Sequence, residues 1–360
     1  MKHEIFVPGR IELAGNHTDH QRGRVLAGAT ELGLYSKFEA NGTNCIRINS
    51  EGFGKIELRI GFSSVRPKEF GDPTASVRGV LAGFEELGLK VGGFDSSIRS
   101  TLPPGSGMGS SAAFAVMIGK ILSELFNGGQ VDALVIARIA QQAEIRYFGK
   151  PCGLMDHLTC SLGHTLYADF TTNEILPVTA DFTSMGLVMC LTDTGGSHAG
   201  LDTSYARIPA DMVYIANLFD KGVLGDVSAA EFRAKGWDAS DRPVRRAMHF
   251  FDENERVPMM RDALEMRDGE QYMRLMNESG RSSEKLLNNI VTSATGDTKL
   301  AQGLEKSKKL LDGRGAWRVH GGGFAGCVQA LMPEEYFPVY KESMEKDFGE
   351  GSCRQVTLIL

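Results

Sequence analysis

Pro103-Pro104-Gly105-Ser106-Gly107-Met108-Gly109-Ser110-Ser111-Ala112-Ala113 runs straight into FAVMIGKILSELF, an apolar stretch with helical spacing that closes at Phe126. Residues this small let backbone N–H groups approach an anion, and a helix N-terminus adds partial positive charge. The spacing predicts a helix over 112–126 that the Ser110-Ser111 pair can cap. The stretch lacks the GK[ST] ending of a P-loop, and no βαβ unit with a following acid surrounds it, so a dinucleotide turn is excluded. A bare flexible glycine loop is the competing assignment. The serine pair separates the two: as caps they only close the helix, whereas in a phosphate cradle one hydroxyl serves Mg²⁺ and the amides serve nucleotide phosphates.

Around this loop the chain has 360 residues, enough for two domains or one large two-lobed one. Hydrophobic residues at 42% and charged residues at 23% exclude a disordered chain. The 43 glycines follow no period, which excludes collagen. A net charge of −6 argues against nucleic acid as partner. The opening MKHEIFVPGRIELAG lacks the apolar core of a signal peptide, and Ser100–Gly119, the longest stretch without a charged residue, is broken up by Pro, Gly and Ser, so no membrane span is expected. Six cysteines at 45, 152, 160, 190, 327 and 353 form no CxxC, and read as reduced thiols of a cytoplasmic enzyme.

The first forty residues alternate β-branched runs with Gly and Asn, as strands and hairpins do. Val131–Phe148 keeps apolar residues at helical spacing and stops at Gly149. LYADF and LVMCLTD read as strands near 166–193, Asp211–Leu311 as mainly helical, and the closing CRQVTLIL as a strand. The expected class is α+β, with domains over 1–180 and 181–360.

PPGSGMGSSAA is similar to the phosphate loop of the GHMP kinases, the family of galactokinase, homoserine kinase and mevalonate kinase. Pro151-Cys152-Gly153-Leu154-Met155-Asp156 resembles the galactokinase catalytic segment, and Val319-His320-Gly321-Gly322-Gly323-Phe324-Ala325-Gly326-Cys327 the C-terminal glycine motif. Pro8-Gly9-Arg10-Ile11-Glu12-Leu13-Ala14-Gly15-Asn16-His17-Thr18-Asp19-His20 resembles the galactokinase sugar signature. Four motifs in the expected order span nearly the whole chain. The resemblance implies a two-lobed α+β fold, with an N-terminal lobe like ribosomal protein S5 and a ferredoxin-like C-terminal lobe.

The implied activity is transfer of the γ-phosphoryl of Mg·ATP to the anomeric hydroxyl of a galactose-like aldose. Asp156 would sit by that hydroxyl, as base or electrostatic positioner, with Arg10 holding it ionised. Pro104, Gly105, Ser106, Gly107, Met108, Gly109, Ser110, Ser111 and Gly322 would surround ATP. Ser111 and Glu144 would hold Mg²⁺, with Ser110 as the alternative hydroxyl. Asn16, His17, Asp19, Gly153 and Tyr205 would grip the sugar. The implied partners are a small sugar and ATP, without nucleic acid or membrane.

The chain also departs from the family. Asn16 stands where the signature has Glu, His20 where it has Tyr, and His157 where Gln follows the catalytic Asp. With no carboxylate at 16, a sugar carrying a C6 carboxylate becomes admissible, with Arg22 or Arg24 as counter-ion. The alternatives to a galactokinase are therefore a kinase for a hexuronic acid or another related sugar, and a non-catalytic sugar and ATP sensor. Retention of Arg10, Glu144, Asp156 and the serine pair speaks against the sensor.

Overall fold

A computed structural model describes residues 2–197, 200–292 and 294–360. In chain order the strands and helices are β1 (His3–Ala14), β2 (Arg24–Ala40), β3 (Cys45–Ser50), β4 (Gly54–Arg59), α1 (Pro73–Glu86), β5 (Phe94–Ser100), α2 (Ser110–Phe126), α3 (Ala133–Ala143) and α4 (Met155–Leu162). Then follow β6 (Leu166–Asp169), β7 (Glu174–Pro177), β8 (Leu187–Asp193), α5 (Asp202–Asn217), α6 (Ala229–Ala234), α7 (Arg242–Glu265), α8 (Gly269–Ser282), α9 (Lys299–Leu311), β9 (Ala316–Val319), β10 (Cys327–Pro333), α10 (Phe337–Phe348) and β11 (Cys353–Gln355).

Two compact units divide the chain. The first comprises Met1–Arg10, Ala29–Pro104 and Met108–His164, the second Ile11–Gly28, Gly105–Gly107 and Thr165–Leu360. The main division thus lies ahead of the expected boundary at 180. The reason is strand pairing within the second unit, where β6 pairs antiparallel with β7 and with Arg24–Ala27 of β2.

In the first unit Leu34–Ala40 of β2 pairs antiparallel with β5, β3 runs parallel to β5, and β4 returns antiparallel on β3. Leu34, Ser36 and Phe38 are buried while Tyr35 and Lys37 are exposed, the two-residue alternation of a sheet with one wet face. α2 is buried on nearly every side, from Ala112 through Ile118 to Leu122. A helix apolar all round must be enclosed, and that enclosure by α1, α3 and α4 fixes where its N-terminus points.

In the second unit four antiparallel strands run in the order β11-β8-β10-β9. α5 and α7 pack around Ile208, Met212, Ile215, Phe250 and Phe251. The helical stretch begins at Asp202, earlier than the apolar pattern suggests, and only Cys353–Gln355 of the closing CRQVTLIL is strand. No helix among the described residues is long and apolar enough to cross a membrane.

Candidate active site

Arg10, on β1, is built into the first unit at both ends. Its N–H donates to the Met108 carbonyl at 3.0 Å. Its guanidinium grips Asp156 with two parallel bonds, Nε to Oδ1 at 2.6 Å and Nη2 to Oδ2. Such a fork-to-carboxylate pair fixes orientation as well as charge. Asp156 lies in the first turn of α4, but Leu154 is the N-cap residue, so the carboxylate is not spent as a cap. Burial pushes its pKa up; the Arg10 charge and hydrogen bonds outweigh burial and hold it below the usual carboxylate range. About a third of the Asp156 side chain stays open to solvent while Arg10 is buried.

The N-cap of α2 is Gly109 and not a serine; Ser110 and Ser111 are its first two helical residues. Gly109 has φ 73°, and a Cβ there would meet Arg10 Cγ at 3.3 Å. Gly109→Ala is therefore expected to lose about 1–2 kcal/mol of stability in urea titration.

Ser111, freed from capping, donates from Oγ to Glu144 Oε1 at 2.9 Å. Glu144 opens a π-helical turn, Glu144–Phe148, which ends at Gly149 as the apolar pattern predicts. Irregular turns of this kind commonly sit at functional positions. Lys150 Nζ lies 3.4 Å from Glu144 Oε1, and His157 Nε2 lies 2.8 Å from Oε2. Burial pushes the Glu144 pKa up, but His157, Lys150 and Ser111 together bring it down to about 2. A hydroxyl and an ionised carboxylate side by side are the hard oxygen donors that Mg²⁺ takes, so these residues fit the ion. Gly153 lies half-buried in the loop before α4.

The remaining sugar-signature residues, with Tyr205 and Gly322, belong to the second unit. His17 has φ 58°, and its Nε2 lies 3.0 Å from the Gly322 carbonyl. A carbonyl only accepts, so Nε2 carries the proton and Nδ1 accepts from His20 Nε2 at 3.2 Å. His20 Nδ1 in turn accepts from Gln21 Nε2 at 3.2 Å. This relay needs both rings neutral. Burial accordingly lowers the His17 pKa to about 4, against the Gly322 bond that raises it, and pushes His20 well below its ordinary value.

Tyr205 donates to the Gly323 carbonyl at 2.7 Å, and a Cβ on Gly322 would meet its Cε1 at 2.8 Å. His17, Gly322 and Tyr205 are thus brought together. Asp19 accepts from the His20 N–H at 2.8 Å. Of the glycine loop, Gly105, Ser106 and Gly107 also belong to this unit. Cys327 Sγ lies 3.4 Å from the Ser106 carbonyl, and a Cβ on Gly107 would stand 3.2 Å from the His320 ring. Pro104, Met108, Gly109 and Ser110 belong to the first unit.

Asn16, expected among the sugar residues, is engaged by protein partners. Its amide donates to Glu12 Oε2 at 3.1 Å and to the Gly321 carbonyl at 2.8 Å, and Oδ1 accepts from Ser283 and Asn289 at 3.1 Å each. With four bonds made and 1% exposure, this side chain is fully hydrogen-bonded within the protein. Asn16→Asp replaces two donors with an oxygen facing the Glu12 carboxylate. It is expected to cost about 1–3 kcal/mol, read from the urea midpoint. The supposed counter-ions are likewise engaged: Arg22 with Asp226 at 2.9 Å, Arg24 with Asp169 at 2.7 Å.

Sequence reasoning missed the frame behind the signature. Glu253, fully buried on α7, accepts from the Gly15 N–H at 3.1 Å, from Ser279 at 2.7 Å and from Arg256. His249, one turn earlier, bonds the Asn16 carbonyl at 2.9 Å. The i, i+4 spacing of His249 and Glu253 was the available signal; Ser283 and Asn289 gave none. Lys150 was also missed.

Residues 75–164 match the GHMP kinases N terminal domain, and residues 2–36 match the galactokinase galactose-binding signature. Among solved structures, the chain is similar to Lactococcus lactis galactokinase complexed with galactose, at TM-score 0.86 and 23% identity, over 99% of this chain and 93% of that one. It is also similar to Methanococcus jannaschii mevalonate kinase, at TM-score 0.67 and 17% identity, over 100% and 99% of the two chains. A D-glycero-D-manno-heptose 1-phosphate kinase from Bacteroides thetaiotaomicron matches at TM-score 0.64 and 15% identity, over 99% and 97%. The fold is thus that of the GHMP kinases over the whole chain, with the match to their N terminal domain carried by residues 75–164 and the match to the galactokinase galactose-binding signature by residues 2–36.

Proposed function

We propose that this protein is an ATP-dependent sugar-1-kinase acting on galactose or a close aldose. The observation that carries the proposal is the Arg10–Asp156 pair: a carboxylate held ionised by a bidentate guanidinium, yet partly open to solvent. The anomeric oxygen forms its bond to the γ-phosphorus, the bond between that phosphorus and the ADP oxygen breaks, and Asp156 accepts or holds the hydroxyl proton. Arg10 keeps the carboxylate aimed and charged. The N-terminal turn of α2, opening at Gly109, offers N–H groups to phosphate oxygens. Ser111 and Glu144 would hold Mg²⁺, which when bound neutralises phosphate charge.

His17, Asp19, Gly153 and Tyr205 are assigned to the sugar. Galactose is favoured by the matched signature and by the galactose named with the Lactococcus lactis structure. The engagement of Asn16, Arg22 and Arg24 by protein partners supports a neutral sugar over a uronic acid. An ADP-release assay across aldoses, uronic acids and amino sugars tests this. We expect galactose or a close aldose to give the highest kcat/KM; preference for a uronic acid, or no turnover with any sugar, would overturn it.

A further inference from the structure

Beside the Arg10–Asp156 pair stand three side chains that phosphoryl transfer does not need in combination. Glu144 comes from the π-helical turn after α3, Cys152 from the loop beyond it, and His157 from the first turn of α4. One donor atom from each, a carboxylate oxygen, a thiol sulfur and an imidazole nitrogen, lies within 4.8 Å of the other two. An ion with bonds of about 2.0–2.3 Å reaches all three after small side-chain adjustments.

The state of His157 is the second observation. Its imidazole is 0% exposed, and neither ring nitrogen makes a hydrogen bond of regular geometry. Nε2 nonetheless lies 2.8 Å from Glu144 Oε2. An ion entering between them would replace this contact with a bond to each side chain, with a small separation of the two. A buried imidazole whose Nδ1 has no hydrogen-bond partner is costly to hold, and coordination would offset that cost. The Lys150 ammonium stands on the Oε1 side of Glu144, and its side chain is 62% exposed, so it can withdraw into solvent as a cation enters. Ser111 also bonds Oε1, leaving Oε2 as the oxygen turned toward His157.

We propose that Glu144, Cys152 and His157 form a three-ligand site for a borderline divalent cation of the Zn²⁺ class, with water as fourth ligand. A mixed S, N, O donor set suits Zn²⁺ or Co²⁺, whereas Mg²⁺ and Ca²⁺ take oxygens. On binding, the Cys152 thiol releases its proton to solvent and coordinates as thiolate. Metal binding here stands independently of the kinase assignment. Its effect on turnover rests on that assignment: an ion on Glu144 removes the carboxylate from Mg²⁺, so Zn²⁺ lowers phosphorylation.

The metal-free full-length protein is titrated with Co²⁺, without ATP or sugar, and followed by absorption and calorimetry. One equivalent should bind with a thiolate-to-cobalt charge-transfer band, displaced by Zn²⁺ and not by Mg²⁺. Cys152→Ser should abolish the band, and His157→Gln should weaken Co²⁺ binding roughly tenfold or more. Circular dichroism verifies that each variant folds. Should His157→Gln misfold, Cys152→Ser, at a half-buried loop position, decides alone. Absence of stoichiometric binding, or a band that persists in Cys152→Ser, overturns the site. An inactive kinase with intact Co²⁺ binding would overturn the functional assignment only; an active kinase without it would overturn the site only.

Discussion

Asp156→Asn is expected to slow sugar phosphorylation by roughly 10²–10⁴-fold while nucleotide binding stays near its original strength. The amide keeps the shape of the carboxylate but cannot take a proton, and it returns only one acceptor to the Arg10 fork. Initial rates of ADP release, with ATP affinity measured separately by calorimetry, separate the two effects. A kcat close to that of the parent protein would remove Asp156 from the chemistry. The pH profile carries the same information. Burial raises the Asp156 pKa and Arg10 lowers it further than burial raises it, so the net direction is below 3.8. Rates should therefore show no inflection from this group between neutral pH and about pH 4, the ordinary carboxylate range. Arg10→Met should bring that inflection up in pH, because burial would then act unopposed.

Glu253→Ala is the second large effect, and it concerns stability. Glu253 is fully buried and faces Arg256 and Arg318, while its Oε1 accepts from the Gly15 N–H and from Ser279. Truncation leaves Arg256 without its nearer carboxylate and the turn at Gly15 without its acceptor, while Arg318 keeps Glu12 at 3.1 Å. Breaking a buried pair in this way costs about 3–5 kcal/mol, to be read from the urea midpoint. An unchanged midpoint would mean that Glu253 does not brace the signature.

The pH dependence has a definite sign. Burial raises the Glu253 pKa, but Arg256, His249, Arg318 and Ser279 bring it to about 2, from an ordinary 4.5. A depressed carboxylate pKa contributes stability that is complete above the unfolded value. That contribution, on the order of 3 kcal/mol, is lost as pH falls from about 4.5 toward 2. Glu144, also at about 2, acts in the same window.

Local pattern made much of the site legible. The glycine loop, the helix behind it and the stop at Gly149 follow from small residues, apolar spacing and a left-handed cap. Ser111 and Glu144 were paired by resemblance, and the two side chains meet. What local pattern leaves open is which way a polar side chain turns. Both serines were candidate caps, yet Gly109 takes the cap position, and this frees Ser111 for Glu144. Asn16 sits in the sugar signature, yet its partners Ser283 and Asn289 lie 267 and 273 residues away. No periodicity carries that information.

By itself, then, the amino-acid order determined the α+β class, the motifs and the residue types available for chemistry, because backbone propensity and apolar period act over a few residues. Tertiary structure alone decided which of those polar groups are spent. Asn16, Arg22 and Arg24 are consumed by protein partners, whereas Asp156 is held charged and partly open. The physical reason is that a buried polar group must find its partner wherever the folded chain supplies one, and here the partners come from distant segments.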